Sequence, residues 1–238
     1  MKRVPTAVAV IVALCAAGTT GAAAKEPDRT ETRLVGQRFA QCVVRERLAL
    51  AREFVRTLVP GDDLSRRMTA LMSGHCLVRA MHGDSGHMTF PASTFYNTMA
   101  EELVRVDHPT FTSVNVQALA PLRHAELRPV GSFSTTAKGK RAERERAEFD
   151  DDRFDAILSR VGECVVRADQ GRSYALLKTE IVSADEKGKM KDLAPVVGGC
   201  LIEGTTIKLD IGYLRGAIAR SYWRLADAMA SSNSTGGS

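Results

Sequence analysis

Hydrophobic residues recur at helical spacing along much of the chain. Between about residues 32 and 59 the apolar positions follow one another at steps of three or four: Val44, Leu48, Ala51, Val55 and Leu58. This periodicity predicts a helix that ends at Pro60-Gly61-Asp62-Asp63. Further helices are predicted from Leu64 to Met81 and from Pro91 to Arg105.

The later part of the chain has the same character. A second apolar stripe consists of Phe154, Ile157, Leu158, Val161 and Val165. It predicts a helix that Gly171 breaks, followed by helical segments at 174–181, 186–200 and 211–230. On the last of these, Arg215, Arg220 and Arg224 are predicted to be solvated.

Three blocks of sequence occur twice in the same order. Cys42-Val43-Val44-Arg45 returns as Cys164-Val165-Val166-Arg167, and Gly74-His75-Cys76-Leu77 is matched by Gly198-Gly199-Cys200-Leu201. The third block, which starts at Phe95, is matched by the segment that starts at Leu214. Ordered matches of this kind are typical of a duplicated structural unit.

The predicted fold is therefore mainly α, with two diverged helical repeats. We place the first repeat at residues 25–106 and the second at 152–230, separated by an exposed linker at 107–151 and followed by a flexible tail at 231–238. Met88–Phe90 and Ile207–Leu209 alternate like short strands and could pair between the repeats.

The amino terminus has the pattern of a signal peptide. Lys2 and Arg3 precede an uncharged apolar segment that ends in Ala22-Ala23-Ala24. A short basic segment, a short apolar segment and a small-residue site predict cleavage between Ala24 and Lys25, with an uncleaved anchor as the alternative. No later segment reaches the roughly 20 apolar residues of a membrane span. The mature protein is predicted to be periplasmic or secreted.

Cys42, Cys76, Cys164 and Cys200 remain after this cleavage. An even number of cysteines in an exported protein predicts disulfides, and four cysteines allow three pairings. The repeats favour Cys42–Cys76 and Cys164–Cys200, although bridges between the repeats stay open. Each bridge within a repeat would close a loop of about 35 residues and stabilise the fold by about 4 kcal/mol.

Charge and composition exclude some partners. Loss of Lys2 and Arg3 lowers the formal net charge from +5 to +3, so the pI of 9.1 does not predict nucleic-acid binding. The basic run Lys138–Arg146 lacks aromatic residues and is followed by acidic ones, which favours a solvated linker or a charged lead-in to the helix near Phe154. We expect an unknown protein or small ligand of the cell envelope as the partner.

Candidate chemistry is confined to a few side chains. His75, His82, Asp84 and His87 could ligate a metal, but the second copy has Gly199 in place of His75. Arg45 and Arg167 occupy the same position in the two copies and could bind an anion, or pair with a nearby carboxylate.

Gly83-Asp84-Ser85-Gly86 resembles the nucleophile segment of chymotrypsin-like proteases. In that family the histidine lies far upstream on another barrel, whereas His75 is near Ser85 in a helical context, so we predict a turn here. No cofactor is predicted.

The repeated Cys-Val-Val-Arg and Gly-x-Cys-Leu blocks, with Leu214-Arg215-Gly216-Ala217-Ile218-Ala219, resemble a group of uncharacterised exported proteins of alphaproteobacteria, of the sphingomonad type. The resemblance implies export and the duplicated architecture, and no activity. The sequence predicts a non-enzymatic binding or structural module. The alternative is a metal-dependent enzyme or hydrolase that uses His75, His82, Asp84 and His87.

Overall fold

The structure is a computed structural model of the whole chain. It describes residues 29–57, 69–81, 92–111, 113, 115–129, 131–202 and 210–235. Several predictions therefore lie outside the described residues. They are the signal peptide, the three ligand candidates His82, Asp84 and His87, and the two strand segments at 88–90 and 207–209.

Helices account for most of the described residues, as predicted. The first half contains α1 (Arg29–Glu46), α2 (Leu48–Thr57), α3 (Gly74–Ala80) and α4 (Ala92–Asp107). The second half contains α5 (Lys140–Ala168), α6 (Gln170–Leu177), α7 (Ala184–Cys200) and α8 (Ile211–Thr235). A short 3₁₀ turn, Val116–Ala118, lies between the halves. The described residues contain no strand.

Helix ends are set by local side chains. Asp169 separates α5 from α6, and its carboxylate accepts a hydrogen bond from the Arg172 backbone N–H at 2.8 Å. Ser183 caps α7, and its hydroxyl oxygen accepts from the Glu186 N–H at 3.0 Å. The predicted break at Gly171 is wrong, because Gly171 lies inside α6 and the capping residue precedes it.

The predicted disulfides are confirmed. Cys42 on α1 is bonded to Cys76 on α3, with an S–S distance of 2.08 Å. Cys164 on α5 is bonded to Cys200 at the end of α7, at 2.06 Å. Each bridge therefore joins the first long helix of its half to a later helix that packs against it.

The two halves share one hydrophobic core. Phe39, Phe54 and Phe95 pack together in the first half, and Tyr174 packs on Tyr222 in the second. Helix α8 packs against both α4 and α5, so it joins the core residues of the first half to those of the second.

Glycines allow this close packing of α8. A Cβ atom at Gly162 would lie 2.5 Å from the Ala217 carbonyl oxygen, and one at Gly216 would lie 2.4 Å from the Asn97 Cβ. Side chains at either glycine would therefore force the helices apart.

Three predicted boundaries or exposures are corrected. The basic run Lys138–Arg146 lies mostly in the first turns of α5, because that helix begins at Lys140. Helix α8 continues to Thr235, into the segment predicted as a flexible tail. Arg215 and Arg220 are buried instead of solvated, because carboxylates from other helices reach them. Within the described part of the chain, no helix has the length and apolar character needed to cross a membrane.

Candidate functional site

A groove of about 1090 Å³ opens between the halves. Its walls come from α1, from α4, from the turn at 177–181 that follows α6, and from the beginning of α8. Polar and charged side chains line it together with Leu34, Leu177, Ile181 and Tyr213. The groove is large enough for a small ligand or a short peptide segment.

Arg215 forms a fixed part of the groove floor. Its Nε donates a hydrogen bond to Glu101 on α4 at 2.8 Å. Its Nη atoms donate to the backbone carbonyls of Leu176 and Leu177 at 2.8 and 3.1 Å, and to Thr179. Arg215 therefore adds a donor to the carbonyl oxygens at the end of α6, where the Leu176 carbonyl also accepts from Thr179, and it links that end to α4.

A second ion pair, between Arg33 and Glu186, lies beside the groove. Both Nη atoms of Arg33 donate to the buried carboxylate of Glu186, at 3.1 and 2.5 Å. Burial opposes the charge of Arg33, but hydrogen bonding and attraction to Glu186 leave its pKa raised. Glu186 also accepts from the Val182 backbone N–H at 2.8 Å. Since these charges are paired within the protein, they shape the groove and do not select a charged ligand.

The groove also presents neutral polar groups. Asn97 on α4 is 4% exposed, and its Oδ1 has no hydrogen-bond partner among the described residues. Gln37 and Gln41 on α1 are partly exposed along the opposite wall. A buried acceptor without a partner costs free energy, which a ligand N–H could recover. The arrangement suits a ligand rich in amide-like groups.

A different polar cluster lies buried between α4, α5 and α8. The Arg220 Nη2 is 3.5 Å from the Asp155 Oδ1, and the Arg220 guanidinium lies 4.7 Å from the centre of the Tyr96 ring. Within the part of the chain that the structure describes, both Asp155 oxygens and both Arg220 Nη atoms lack a hydrogen bond. Burial raises the pKa of the Tyr96 hydroxyl. The cluster is closed and does not line the groove.

The connection between the halves carries a histidine cluster. We call Val116–Pro129 the strap, because it lies along α5. The His124 Nδ1 is 2.6 Å from the Ser159 Oγ, and its Nε2 is 2.5 Å from the Glu163 carboxylate. Burial opposes ionisation of Glu163, but hydrogen bonds from His124, the Leu122 N–H and Arg167 lower its pKa to about 2. Ser159 is only 1% exposed, so a substrate carbonyl cannot reach its hydroxyl.

Arginines of the second half hold the backbone of the strap. Arg167 donates to the carbonyl oxygens of Val116 and Ala120, the latter at 2.8 Å. Arg160 donates to the Ala125 carbonyl at 2.7 Å. In addition, Arg224 of α8 donates to the Arg123 carbonyl at 3.3 Å. These arginines therefore bind the strap through its backbone carbonyl oxygens.

The predicted metal-ligand residues are only partly described. The His75 Nδ1 lies 3.2 Å from the Glu46 carboxylate, and the His75 side chain is 68% exposed. Cys42 and Cys76 lie within the same group of potential ligands, but their sulfurs are joined in a disulfide. A disulfide sulfur is not a thiolate, so Glu46 and His75 are the ligands that this group offers.

The two predicted anion-binding arginines have different surroundings. Arg45 is exposed on α1, whereas Arg167 binds the strap and also donates to Glu163 at 2.7 Å. Arg167 therefore matches the alternative reading, in which the arginine pairs with a carboxylate of its own chain.

Neither a family model, nor a curated protein, nor a solved structure matches the chain. The site must therefore be interpreted from its own geometry. Sequence reasoning missed Asn97, His124 and Glu186, each of which is an isolated residue without a motif. Asn97 and Glu186 each occupy a position that the helical period assigns to an apolar face. That mismatch is the sequence signal that could have suggested them.

Proposed function

We propose that the protein is an exported, non-enzymatic binding module, built from two copies of one helical unit, that binds its ligand in the groove between the copies. The observation that carries the proposal is the groove itself. It combines a large open volume, charges that are already paired, and the buried, unpaired acceptor Asn97 Oδ1.

The order of helices supports the duplication. The α1–α2 break falls at Arg47 and the α5–α6 break at Asp169, 122 residues later, which equals the spacing between Cys42 and Cys164. Each half then continues with a helix that carries the second cysteine and a long helix that packs on the first. Asn97 and Gly216 are matched positions in the third repeated block, and they contact each other where α4 meets α8.

The disulfides support export, because such bonds persist in oxidising compartments. The groove supports binding over catalysis, because its arginines Arg33, Arg105 and Arg215 are each paired with a carboxylate. The metal-dependent alternative gains no support from the described residues, where His75 has Glu46 as its only neighbour able to act as a ligand.

Native mass spectrometry of protein purified from its own cell envelope tests the proposal. We expect a mature chain that starts at Lys25 and carries a bound ligand mass. Gln37→Trp, which fills the groove from α1, should lose that mass, whereas Ala147→Trp on the exposed face of α5 should keep it. Equal retention by both variants, or a mature chain without any bound mass, would contradict the proposal.

A further inference from the structure

The strap indicates what kind of ligand the groove takes. This inference rests on the proposed function, because it uses the correspondence between the two copies. In the second half the strap lies on Ser159 and Glu163 of α5 and is held by Arg224 of α8. The matched positions in the first half are Gln37, Gln41 and Arg105, and all three line the groove. One end of the groove is therefore the counterpart of the surface that the strap covers.

The two halves differ in the path of the chain. Helix α4 ends at Asp107, after which His108 and Pro109 lead the chain back over α5. The start of this path is fixed by α6, since the Tyr174 hydroxyl donates to the His108 carbonyl at 3.0 Å. The position of α8 that matches His108 is Asp227, where the helix continues. The described residues therefore leave the surface of α1 open where the strap covers that of α5.

The open surface keeps the groups that bind an extended backbone. Arg45 is the counterpart of Arg167, which donates to two strap carbonyls. It is exposed on the same face of α1 as Gln41, one turn further along. The amides of Gln37, Gln41 and Asn97 can donate to peptide carbonyls and accept from peptide N–H groups.

We propose that the groove binds an extended, weakly charged, leucine-containing segment of another protein, and that Arg45 donates hydrogen bonds to its backbone carbonyls. The strap supplies the model for this ligand. Its Leu119, Leu122 and Leu127 are partly buried against the core, while arginines bind its carbonyl oxygens. The charge pairs around the groove favour a segment with little net charge.

A labelled synthetic peptide with the sequence of residues 115–129 is the probe, and a scrambled peptide is its control. Fluorescence anisotropy with the full mature protein should detect binding of the first peptide alone. Arg45→Ala should weaken binding about tenfold, the effect of one lost charge-assisted hydrogen bond. Arg144→Ala, which removes an exposed arginine of α5, should change nothing.

A gain of affinity provides an independent check. Gln41→Glu places a carboxylate where Glu163 binds His124 in the second half. This variant should bind the peptide more tightly, and more so at pH 6 than at pH 8, because protonated histidine attracts the new carboxylate. Photo-crosslinks from the bound peptide should lie on α1 and α4.

Other results would overturn the inference. Crosslinks confined to α5 would mean that the peptide displaces the strap, and equal effects of Arg45→Ala and Arg144→Ala would remove the arginine from recognition. Absence of peptide binding would reject a polypeptide ligand, while the proposed function would stand if Gln37→Trp still abolished retention of the native ligand.

Discussion

In the second half the face of α5 is covered by the strap, whereas the matching face of α1 in the first half borders an open groove. The two faces differ in chemistry as well. Glu163 on α5 binds His124 and Arg167, but the matched residue on α1 is the neutral Gln41. Two helix faces at aligned sequence positions therefore differ in their surroundings: the face of α5 holds the connecting chain, and the face of α1 borders the groove.

Two charged positions of the first half also align with charged positions of the second half, with reversed sign. Arg33 and Glu101 in the first half match Asp155 and Arg220 in the second. The first pair takes part in a network in which Glu186 and Arg215 supply partners, whereas several atoms of the second pair lack hydrogen bonds. A buried ion pair whose hydrogen bonds are incomplete gains too little to offset its loss of hydration. We therefore expect a destabilising substitution in the second cluster to be rescued by replacing its one ionic partner.

Arg220→Met should cause the largest loss, because it leaves Asp155 as a buried charge without its counterion. The expected decrease in the free energy of unfolding is about 3 to 5 kcal/mol, measured by urea denaturation. Adding Asp155→Leu should restore most of it, because an apolar pair replaces an unsatisfied ionic one. In contrast, Arg215→Met should not be rescued by Glu101→Gln, because the carbonyls of α6 also lose their donor. Equal rescue in both halves would refute this contrast.

Acid should affect the strap-covered half more than the groove. The pKa of Glu163 lies at about 2, below its ordinary value of 4.5, so its contribution is complete above pH 4.5 and is lost as the pH falls towards 2. The shift corresponds to at most about 3 kcal/mol. Glu163→Gln should therefore destabilise the protein more at pH 6 than at pH 3, in urea midpoints compared with the wild type. An equal loss at the two pH values would show that the carboxylate charge does not hold the strap.

The halves differ by one methyl group at another matched position, Ala40 in the first half and Gly162 in the second. Ala40 is buried on α1, but its counterpart Gly162 contacts the backbone of Ala217. Gly162→Ala should cost about 2 kcal/mol through overpacking. Gly188→Ala, where nothing lies within 4 Å, should instead stabilise α7 by up to about 1 kcal/mol. Thermal denaturation would show whether the two substitutions shift the transition in opposite directions, and a stabilised Gly162→Ala would contradict the close approach.

The sequence predicted the features that depend on local pattern. Apolar periodicity predicted the helical class of both halves, and the repeated blocks identified the disulfide pairs. The periodicity did not predict the break at Arg47, because it indicated one helix over residues 32–59 where the structure has α1 and α2. The burial of Arg215 and Arg220 could not be predicted this way, because it depends on Glu101 and Asp155, which are distant in sequence. The roles of His124 and Asn97 also depend on residues distant in sequence, those of α5 that contact the strap and those that line the groove.

The contact between Asn97 and Gly216 has a consequence for the proposed duplication. In a symmetric pair of identical chains, a residue near the twofold axis must face its own copy, so a large side chain there meets another large one. A single chain that carries both copies is released from this constraint. It can set an amide against a glycine, bring the two helices into close contact, and leave the amide oxygen at the edge of the groove.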